Sequence, residues 1–322
     1  MIDNRNVLIL GATGSIGGEL ARQMSVAGWE VRAMKRGARE PGEPRKGITW
    51  IEGDALDRES VIAAARDAAV IVHAVNPPGY RNWAKVVLPM LDNTIAAAKL
   101  AGATVVLPGT IYNFGPDAFP TLTEQSPQRA LTRKGAIRVA MERRLYDYAR
   151  GGGRSLIVRA GDFFGPQVGN SWFAQGLIKA RRPIRSVYDP GRRGVGHQWS
   201  YVPDVARTVL NLLERGASLE PFAAFHTAGH WDQDGTQMIQ AIRRVVALQT
   251  GVEPRVAPFP WWLLTLASPF VTTCREMQEM RYLWREPLRM DNARLRAVLA
   301  EEPHTPLDIA VEASLRGLGC LQ

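Results

Sequence analysis

The sequence predicts an α/β protein built around a doubly wound parallel sheet, and three observations support this prediction. An apolar run, Val7–Leu10, has the pattern of a buried strand, and Gly11, Gly14 and Gly17 follow it at a spacing of three. Strand-like and helical segments then alternate through the first half of the chain. Of the 322 residues, 46% are apolar and 22% are charged, so the chain can bury a substantial core.

The glycine turn lies between the first strand and a first helix whose apolar face begins at Ile16. A strand, a turn and a helix in this order are the context of a dinucleotide-binding fingerprint. Glycine lets the backbone turn tightly and approach a pyrophosphate, whose charge rests on free N–H groups at the helix N-terminus. We therefore expect a Rossmann-like sheet. The expected cofactor contacts of the turn are Gly11, Thr13, Gly14, Ser15, Ile16 and Gly17.

The other elements follow in order along the chain. Short apolar runs bounded by turn residues predict strands, and apolar residues at helical spacing predict the helices between them. Further strands are expected at Glu30–Arg36, Ile48–Ile51, Ala69–Ala74, Thr104–Leu107, Ser155–Arg159 and Phe225–Gly229, and long helices at Trp83–Ala101 and Arg133–Tyr148. Gly151–Gly153 ends the second long helix. Because strands and helices alternate, parallel pairing is expected throughout the sheet.

The alternation weakens after Pro166, which predicts a second unit. We expect a dinucleotide-binding domain at residues 1–165, with residues 197–228 added to it. Residues 166–196 and 229–322 are expected to form a smaller α/β substrate lobe. Such a lobe would cover the carboxyl edge of the sheet and complete a pocket there.

The second predicted strand ends in two cations, Lys35 and Arg36, where this architecture brings the adenosine ribose. An acid at this place would accept hydrogen bonds from a 2′-hydroxyl, whereas a guanidinium pairs with a 2′-phosphate. The sequence therefore favours NADP over NAD, with a solvated loop as the alternative interpretation. After the third strand, Asp54 can accept a bond from the adenine amino group, or Asp54 or Asp57 can cap the next helix.

Composition and charge argue against several other partners. The formal net charge is +9, but the arginines are scattered and no nucleic-acid motif is present, so no nucleic-acid partner is expected. The most apolar run, residues 258–271, is too short to span a bilayer and contains Pro260 and Pro269, so no membrane partner is expected. Cys274 and Cys320 suit a reducing cytoplasm, and no histidine pair has metal-ligand spacing. We expect a cytoplasmic protein without a metal.

Five segments carry a resemblance to a known family. They are the glycine turn, Gly53–Asp54, His73–Pro78, Arg159–Pro166 and Tyr201–Ala206. Together they resemble the short-chain dehydrogenase/reductase superfamily, in its extended or atypical epimerase/dehydratase branch. The last two segments are similar to the family's RxxNxxGP and YVxDVA stretches, with Asp162 where asparagine is usual. The resemblance implies further cofactor contacts from Asp54, Ala55, Ala74, Asn76 and Arg138.

The family's catalytic residues are a serine or threonine, a tyrosine and a lysine, the last two spaced YxxxK on one helix face. The resemblance puts Thr110 at the first of these positions. With Glu142 aligned to the family's downstream glutamate, Lys134 stands at the tyrosine position and Arg138 at the lysine position. The family's tyrosine passes a proton to or from the substrate oxygen. This chain therefore lacks the usual acid.

Two side chains can replace the missing tyrosine. Lys134 can donate a proton if burial or Arg138 lowers its pKa towards neutral; a solvated helix residue or a phosphate anchor is the alternative. Tyr112 is the other candidate acid, and a ring packed beneath the cofactor is the alternative there. Substrate contacts are expected from Asp162, Asn170, Trp172 and His197, with an exposed or core aromatic as the alternative for Trp172.

The sequence thus supports two hypotheses about function. The first is an NADP-dependent oxidoreductase or epimerase that acts on a carbonyl or hydroxyl carbon of a small molecule, such as a sugar or nucleotide-sugar. The second, suggested by the missing tyrosine, is a catalytically silent NADP(H)-binding redox sensor or regulator. Relatives often dimerise through the two long helices, so a homodimer is the expected assembly.

Overall fold

Seven strands form the central sheet of the protein, whose computed structural model describes residues 4–37, 47–77 and 83–322. The strands of the chain are β1 (Asn6–Leu10), β2 (Glu30–Lys35), β3 (Ile48–Glu52), β4 (Val70–His73), β5 (Thr104–Thr110), β6 (Thr121–Leu122), β7 (Arg154–Ala160), β8 (Asp162–Phe164), β9 (Ser186–Asp189), β10 (His197–Tyr201), β11 (Phe222–His226), β12 (His230–Asp232), β13 (Arg255–Pro258) and β14 (Arg289–Met290). The helices are α1 (Ser15–Val26), α2 (Arg58–Ala64), α3 (Trp83–Ala101), α4 (Arg133–Arg150), α5 (Val202–Arg215), α6 (Gln237–Thr250), α7 (Trp261–Ala267), α8 (Thr272–Glu279), α9 (Ala293–Leu299) and α10 (Leu307–Gly317).

The central sheet is parallel, with the order β11, β7, β5, β4, β1, β2, β3. After β3 the chain crosses back and places β4 on the other side of β1. In doubly wound sheets, ligands bind in the crevice at the carboxyl ends of the strands where the order reverses. The predicted α/β fold is thereby confirmed, and its crevice lies where β1 and β4 end.

The central strands are buried on both faces. Successive residues of a strand point to opposite faces, so Val7 and Ile9 share one apolar cluster with α1 and α5. Leu8 and Leu10 share the other cluster with α2 and α3. Because both faces are covered, the first strand is an uninterrupted apolar run rather than an alternating one.

The rest of the chain covers the carboxyl edge of this sheet. Three small sheets pair β8, β10 and β12, β9 with β13, and β6 with β14. An aromatic-rich core joins β8 and β10 to α6 and α10. A further cluster packs Met280, Leu283 and Leu288 against Ile111 and Phe114, which follow β5. The segment before β14 therefore lies over the end of β5, next to the crevice.

Two strands differ from their predicted bounds by three residues at an end, whereas the other predicted strands of the sheet differ by one. β5 continues past Leu107 to Thr110, because Pro108 and Gly109 stay in register with β7. The strand predicted at Phe225–Gly229 lies at Phe222–His226, on the sheet edge beside β7. The segment His73–Pro78 is described as far as residue 77, and its last proline lies outside the described residues.

The apolar run at residues 258–271 is only partly covered. The helix it contains, α7, has no buried residue, and Trp262, Leu266 and Phe270 are exposed. Among the residues that the structure describes, no helix has the length and apolar character needed to cross a bilayer.

Candidate active site

The turn after β1 has two positions, Gly11 and Gly17, at which the backbone leaves no room for a side chain. Gly11 has a φ of 93°, in the left-handed region, and a Cβ there would lie 2.5 Å from the carbonyl oxygen of Ala74. A Cβ on Gly17 would collide with the carbonyl oxygen of Gly11. Gly14 precedes α1 and provides no side-chain cap. The first N–H groups of α1 therefore lack a side-chain acceptor, which fits the binding of a pyrophosphate.

The other residues of the turn divide between its surface and the core. Thr13 and Gly14 are exposed. Ser15 is half-buried, and its hydroxyl donates to the carbonyl oxygen of Gln167 at 3.3 Å. The side chain of Ile16 is buried in the core, so its backbone is the part that can contact a ligand.

Two cations border the place where an adenosine ribose would lie. The ammonium of Lys35 is 5.2 Å from the ring centroid of Trp50. Arg36 is exposed and approaches the carboxylate of Asp54 at 4.0 Å. The N-cap of α2 is Asp57 rather than Asp54. Asp54 can therefore orient the guanidinium of Arg36 while that group stays accessible to a phosphate.

A polar chain joins the ends of β4 and β5. Asn76 accepts the indole N–H of Trp83 at 2.6 Å, and the guanidinium of Arg138 lies 5.6 Å from the Trp83 ring. Arg138 also donates to the carbonyl oxygen of Pro108 at 3.5 Å. Arg138 thus lies between the two strand ends, beside the segment that carries Ala74. Ala55 is buried after β3, and its carbonyl accepts the side-chain amide of Asn93.

Thr110 ends β5 and fixes the turn that follows. Its hydroxyl oxygen accepts the backbone N–H of Tyr112 at 2.8 Å. The carbonyl of Tyr112 packs directly on Gly135, where a Cβ would collide with it. Because Gly135 belongs to the first turn of α4, this contact holds Lys134 beside Thr110 and Tyr112.

Lys134 is a buried cation. Only 6% of its surface is exposed, and its ammonium pairs with the carboxylate of Glu276 on α8 at 2.9 Å. Burial lowers the pKa of Lys134, and Arg138 lowers it further, whereas Glu276 and Glu279 oppose the effect. The net result is a lysine that gives up its proton more readily than an exposed one.

A hydrogen-bonded chain leads from Tyr112 into the C-terminal part of the protein. The Tyr112 hydroxyl donates to Oδ1 of Asp162 at 3.0 Å, and Oδ2 lies 2.9 Å from Nε2 of His197. Nδ1 of His197 is 3.2 Å from the carbonyl oxygen of Leu283. Because a carbonyl only accepts, Nδ1 carries a hydrogen, and the bond between Asp162 and His197 requires a second proton that the two share. We call Tyr112, Asp162 and His197 the proton chain.

A second buried polar network joins Arg159 of β7 to Glu142 of α4 and His226 of β11. Arg159 donates to Glu142 through Nε and, at 2.6 Å, through Nη2, and its Nη1 lies 3.0 Å from Nε2 of His226. Glu142 also accepts the amide of Gln128 at 2.9 Å. Arg159 is 2% exposed, Glu142 4% and His226 0%. We call Arg159, Glu142 and His226 the closed network, because their polar groups satisfy one another inside the protein.

Trp284 connects the proton chain to a cleft. Its ring stacks on His197 with centroids 3.8 Å apart and planes 8° apart. The cleft has a volume of ≈ 540 Å³ and is lined by Arg192, Trp261, Arg281, Trp284, Arg285 and Glu286. Trp172 is buried and lies 5.3 Å from Trp284 and 5.6 Å from Trp261, measured between ring centroids. Trp172 therefore supports the two tryptophans of the cleft.

The structure brings most of the predicted catalytic and substrate residues together. Thr110, Tyr112, Asp162 and His197 form one hydrogen-bonded group, and Lys134 precedes Gly135, which packs on the carbonyl of Tyr112. Asn170 is exposed and bonds to Gln175. Sequence reasoning missed Glu276 and Trp284, whose partners are far away along the chain. Within the described ranges, no three histidine, cysteine or acidic side chains are grouped as a metal site requires.

Comparison with known proteins gives one family match and one relative. A model of the NAD dependent epimerase/dehydratase family matches residues 7–226, which confirms the resemblance indicated by the motifs. A 3-diazoavenalumate denitrifying reductase from a Streptomyces species is 30% identical over 133 residues. That match covers 38% of this chain and 43% of the relative, so the chain spans less than half of the relative's length.

Solved structures share the fold over nearly the whole chain. UDP-glucose 4-epimerase from Brucella ovis in complex with NAD is similar with a TM-score of 0.76 and 18% identity, over 99% of each chain. The Thermus thermophilus UDP-glucose 4-epimerase complex with NAD has a TM-score of 0.71 and 21% identity, over 97% of this chain and 98% of that chain. MoeE5 in complex with UDP-glucose and NAD has a TM-score of 0.72 and 20% identity, over 97% of this chain and 98% of that chain. At such identities the likeness concerns the fold.

Proposed function

Because the chain belongs to the NAD-dependent epimerase/dehydratase family, we propose that it is an NADP(H)-dependent oxidoreductase acting at a carbonyl or hydroxyl carbon of a small molecule. The observation that carries this proposal is the ion pair of the buried Lys134 with Glu276, in the first turn of α4, where the neighbouring Gly135 packs on the carbonyl of Tyr112. A buried titratable group with a shifted pKa, lying at a crevice, is typical of an active site. Epimerisation of such a carbon would use the same groups and is the alternative reaction.

The groove after β1 and the cations after β2 support the choice of NADP. The glycine turn leaves room for a pyrophosphate on the N–H groups of α1. Sites of this architecture that bind NAD use an acid at the end of the second strand, and Lys35 and Arg36 stand there in this chain. The similar solved structures carry NAD, so the preference for NADP rests on these two residues.

Lys134 is the proposed proton donor in the reductive direction. NADPH, when bound, supplies the hydride, and the protein must supply the proton and hold the substrate oxygen. The lowered pKa of Lys134 brings its proton affinity closer to that of a useful general acid. The hydroxyls of Thr110 and Tyr112 lie on the adjoining turn and orient the substrate oxygen. The proton shared by Asp162 and His197 keeps negative charge from accumulating beside the Tyr112 hydroxyl.

Titration with NADPH and with NADH, followed by cofactor fluorescence, tests the choice of cofactor. We expect NADPH to bind about tenfold more tightly or better, because a charge-assisted hydrogen bond contributes about 1.5–3 kcal/mol. Arg36→Gln should remove most of the preference and leave NADH affinity unchanged. Arg58→Gln, at an exposed position at the start of α2, is the matched control. Tighter binding of NADH by the wild-type protein would overturn the choice of NADP.

Lys134→Arg tests the proposed acid. Arginine keeps a cation beside Glu276 but does not release its proton near neutral pH. We expect NADPH-dependent reduction, found by screening sugars, steroids and small ketones, to fall about 100-fold, with NADPH affinity unchanged. Tyr112→Phe should lower turnover about tenfold, the cost of one hydrogen bond. Lys99→Arg, on the exposed end of α3, is the control.

Two outcomes would change the conclusion. If Tyr112→Phe is more damaging than Lys134→Arg, then Tyr112 is the acid and the assignment of Lys134 is wrong. If the wild-type protein binds NADPH but turns over nothing in the screen, the redox sensor replaces the enzyme as the favoured function.

A further inference from the structure

The segment that follows β13 presents large apolar side chains at the surface of the protein. Trp262 is 65% exposed, Leu266 67% and Phe270 89%, and Leu263 and Val271 are exposed as well. Single exposed apolar residues are ordinary, but a group of them in one place marks an interaction surface. We call Trp262, Leu263, Leu266, Phe270 and Val271 the apolar face.

The backbone of this segment holds the apolar face together. Trp262 and Leu266 are four residues apart on α7, so their side chains lie one above the other on the same side of the helix. After the helix, the backbone N–H groups of Phe270 and Val271 both donate to the carbonyl oxygen of Ala267, at 3.0 and 2.8 Å. The turn formed by these bonds keeps Phe270 close to the end of α7.

Another side of α7 is attached to the rest of the protein. The indole N–H of Trp261 donates to the carbonyl oxygen of Pro190 at 2.9 Å. Gln278 of α8 donates to the carbonyl oxygen of Trp261 and, at 2.7 Å, to the hydroxyl of Thr265. The helix is therefore anchored through Trp261 and Thr265, while the side chains next to them in the sequence remain exposed.

Arginines border the apolar face. Arg281 lines one surface depression together with Trp262 and Leu266. It also lines the neighbouring cleft together with Arg192, Arg285 and Glu286, so the charge of that lining is net positive. Within the described ranges, these three arginines form no ion pair. Their charge is therefore available to an anionic partner beside the apolar face.

The combination of apolar residues and arginines favours an anionic bilayer over a second copy of this chain. In a symmetric dimer one face meets itself, so the arginines of the two copies would come together and repel each other. A bilayer that contains anionic lipids offers hydrocarbon to the apolar side chains and negative headgroups to the arginines. Tryptophan in particular suits the boundary between headgroups and hydrocarbon.

We propose that the apolar face docks the protein on the surface of an anionic lipid bilayer. Trp262, Leu266 and Phe270 enter the boundary between headgroups and hydrocarbon, and Arg281 pairs with lipid phosphates. From the sequence alone no membrane partner is expected, because residues 258–271 are too short to span a bilayer. A segment that lies in the plane of the interface needs no such length. Docking requires neither cofactor nor turnover, so it goes beyond the proposed function and is tested separately from it.

Flotation of the full chain with lipid vesicles tests the proposal. One set of vesicles contains phosphatidylcholine alone, and the other contains equal parts of phosphatidylcholine and phosphatidylglycerol. We expect the mixed vesicles to bind at least about tenfold more tightly, since each arginine near an anionic surface contributes roughly fivefold. Equal affinity for the two sets of vesicles, or no binding to the mixed vesicles, would overturn the inference.

Single substitutions show whether the apolar face makes the contact. Leu266→Ser and Phe270→Ser should each weaken binding to the mixed vesicles about tenfold, the contribution of one buried apolar side chain. Leu100→Ser, at an exposed position on α3, is the matched control and should change nothing.

A second pair of variants tests the charge. Arg281→Gln should weaken binding to the mixed vesicles about fivefold, whereas Arg58→Gln, at an exposed position on α2, should leave it unchanged. Attraction by the net charge of the whole protein would affect these two variants equally and would leave Leu266→Ser at the wild-type affinity. That result would contradict docking through the apolar face.

Sedimentation velocity without lipid distinguishes docking from self-association. We expect the wild-type protein and Leu266→Ser to have the same sedimentation coefficient. A wild-type dimer that Leu266→Ser dissociates would make the apolar face an interface between copies, and the inference would be wrong. A protein that neither dimerises through this face nor binds the mixed vesicles would leave a protein partner as the occupant, which also overturns the inference.

Discussion

The closed network and the proton chain each combine a buried carboxylate with a buried histidine, yet their bonding differs. In the closed network, Arg159 gives all its bonds to Glu142 and His226. In the proton chain, the bond between Asp162 and His197 requires one proton between the two side chains, and the chain ends at the Tyr112 hydroxyl. The first arrangement holds an ion pair inside the protein, whereas the second ends at a half-buried hydroxyl.

This difference distinguishes buried polar groups that stabilise the fold from buried polar groups that can take part in a reaction. A buried ion pair whose groups are all satisfied is costly to break, because the remaining partner keeps an unpaired charge. A chain with a shared proton loses little when one carboxylate becomes neutral, since the same hydrogen bonds can be made again. Replacing the carboxylate by an amide should therefore lower the stability strongly in the closed network and only slightly in the proton chain.

The largest expected effect comes from the matched substitutions Glu142→Gln and Asp162→Asn. Glu142→Gln leaves the guanidinium of Arg159 without its charge partner, and we expect the free energy of unfolding to fall by about 3–5 kcal/mol. Asp162→Asn should cost about 1 kcal/mol or less, because the amide can still accept from Tyr112 and donate to His197. Urea unfolding of both variants measures the difference. Equal losses of stability would remove the distinction between the networks.

The sequence could predict the half of the site that depends on local pattern. The glycine turn, the apolar run before it and the cations of Lys35 and Arg36 each occupy a few consecutive residues, whose backbone conformation follows from residue type. The register that puts Lys134 opposite Thr110 also follows from spacing along the chain. These elements lie at the carboxyl edge of the sheet, where the predicted topology brings them.

The other half depends on contacts between distant segments. Glu276 reaches Lys134 from α8, and Trp284 stacks on His197 from the segment before β14. Neither has a local signal, because a glutamate on a short helix and a tryptophan in an apolar run are ordinary in a sequence. The alternative of Lys134 as a solvated helix residue is excluded only by its burial, which depends on how α8 packs.

The second expected effect is a loss of stability at low pH that comes from His226 of the closed network. Burial, with a smaller effect of Arg159, lowers the pKa of His226 to about 3. The unfolded chain takes up that proton below about pH 6.5, but the folded protein does not, so stability falls as the pH falls through this window. For this histidine alone, we expect a loss of about 2 kcal/mol between pH 7 and pH 5.

His226→Asn removes the titrating group and measures this contribution. The variant should be less stable at pH 7, because a buried bond to Arg159 changes, but its unfolding free energy should depend less on pH. Urea unfolding at pH 7 and pH 5 gives the comparison with the wild-type protein. Parallel pH dependences would mean that His226 is not neutral in the folded state, and the closed network would then resemble the proton chain.

The smallest expected effect concerns the Lys134–Glu276 pair, which the proposed function uses in proton transfer. Glu276 raises the pKa of Lys134 against the effect of burial, so its loss should lower that pKa further. The proposed reduction needs the protonated lysine, so its rate should fall as the pH rises through the Lys134 pKa. Glu276→Gln should therefore move the alkaline limb of the kcat/KM profile to lower pH. Glu279→Gln, at the acidic neighbour with the weaker effect on the Lys134 pKa, should move the alkaline limb less.

A residue that only supports the fold would lower the rate at every pH and leave the alkaline limb of the profile in place. This outcome would show that Lys134 and Glu276 form a structural pair, as Arg159 and Glu142 do.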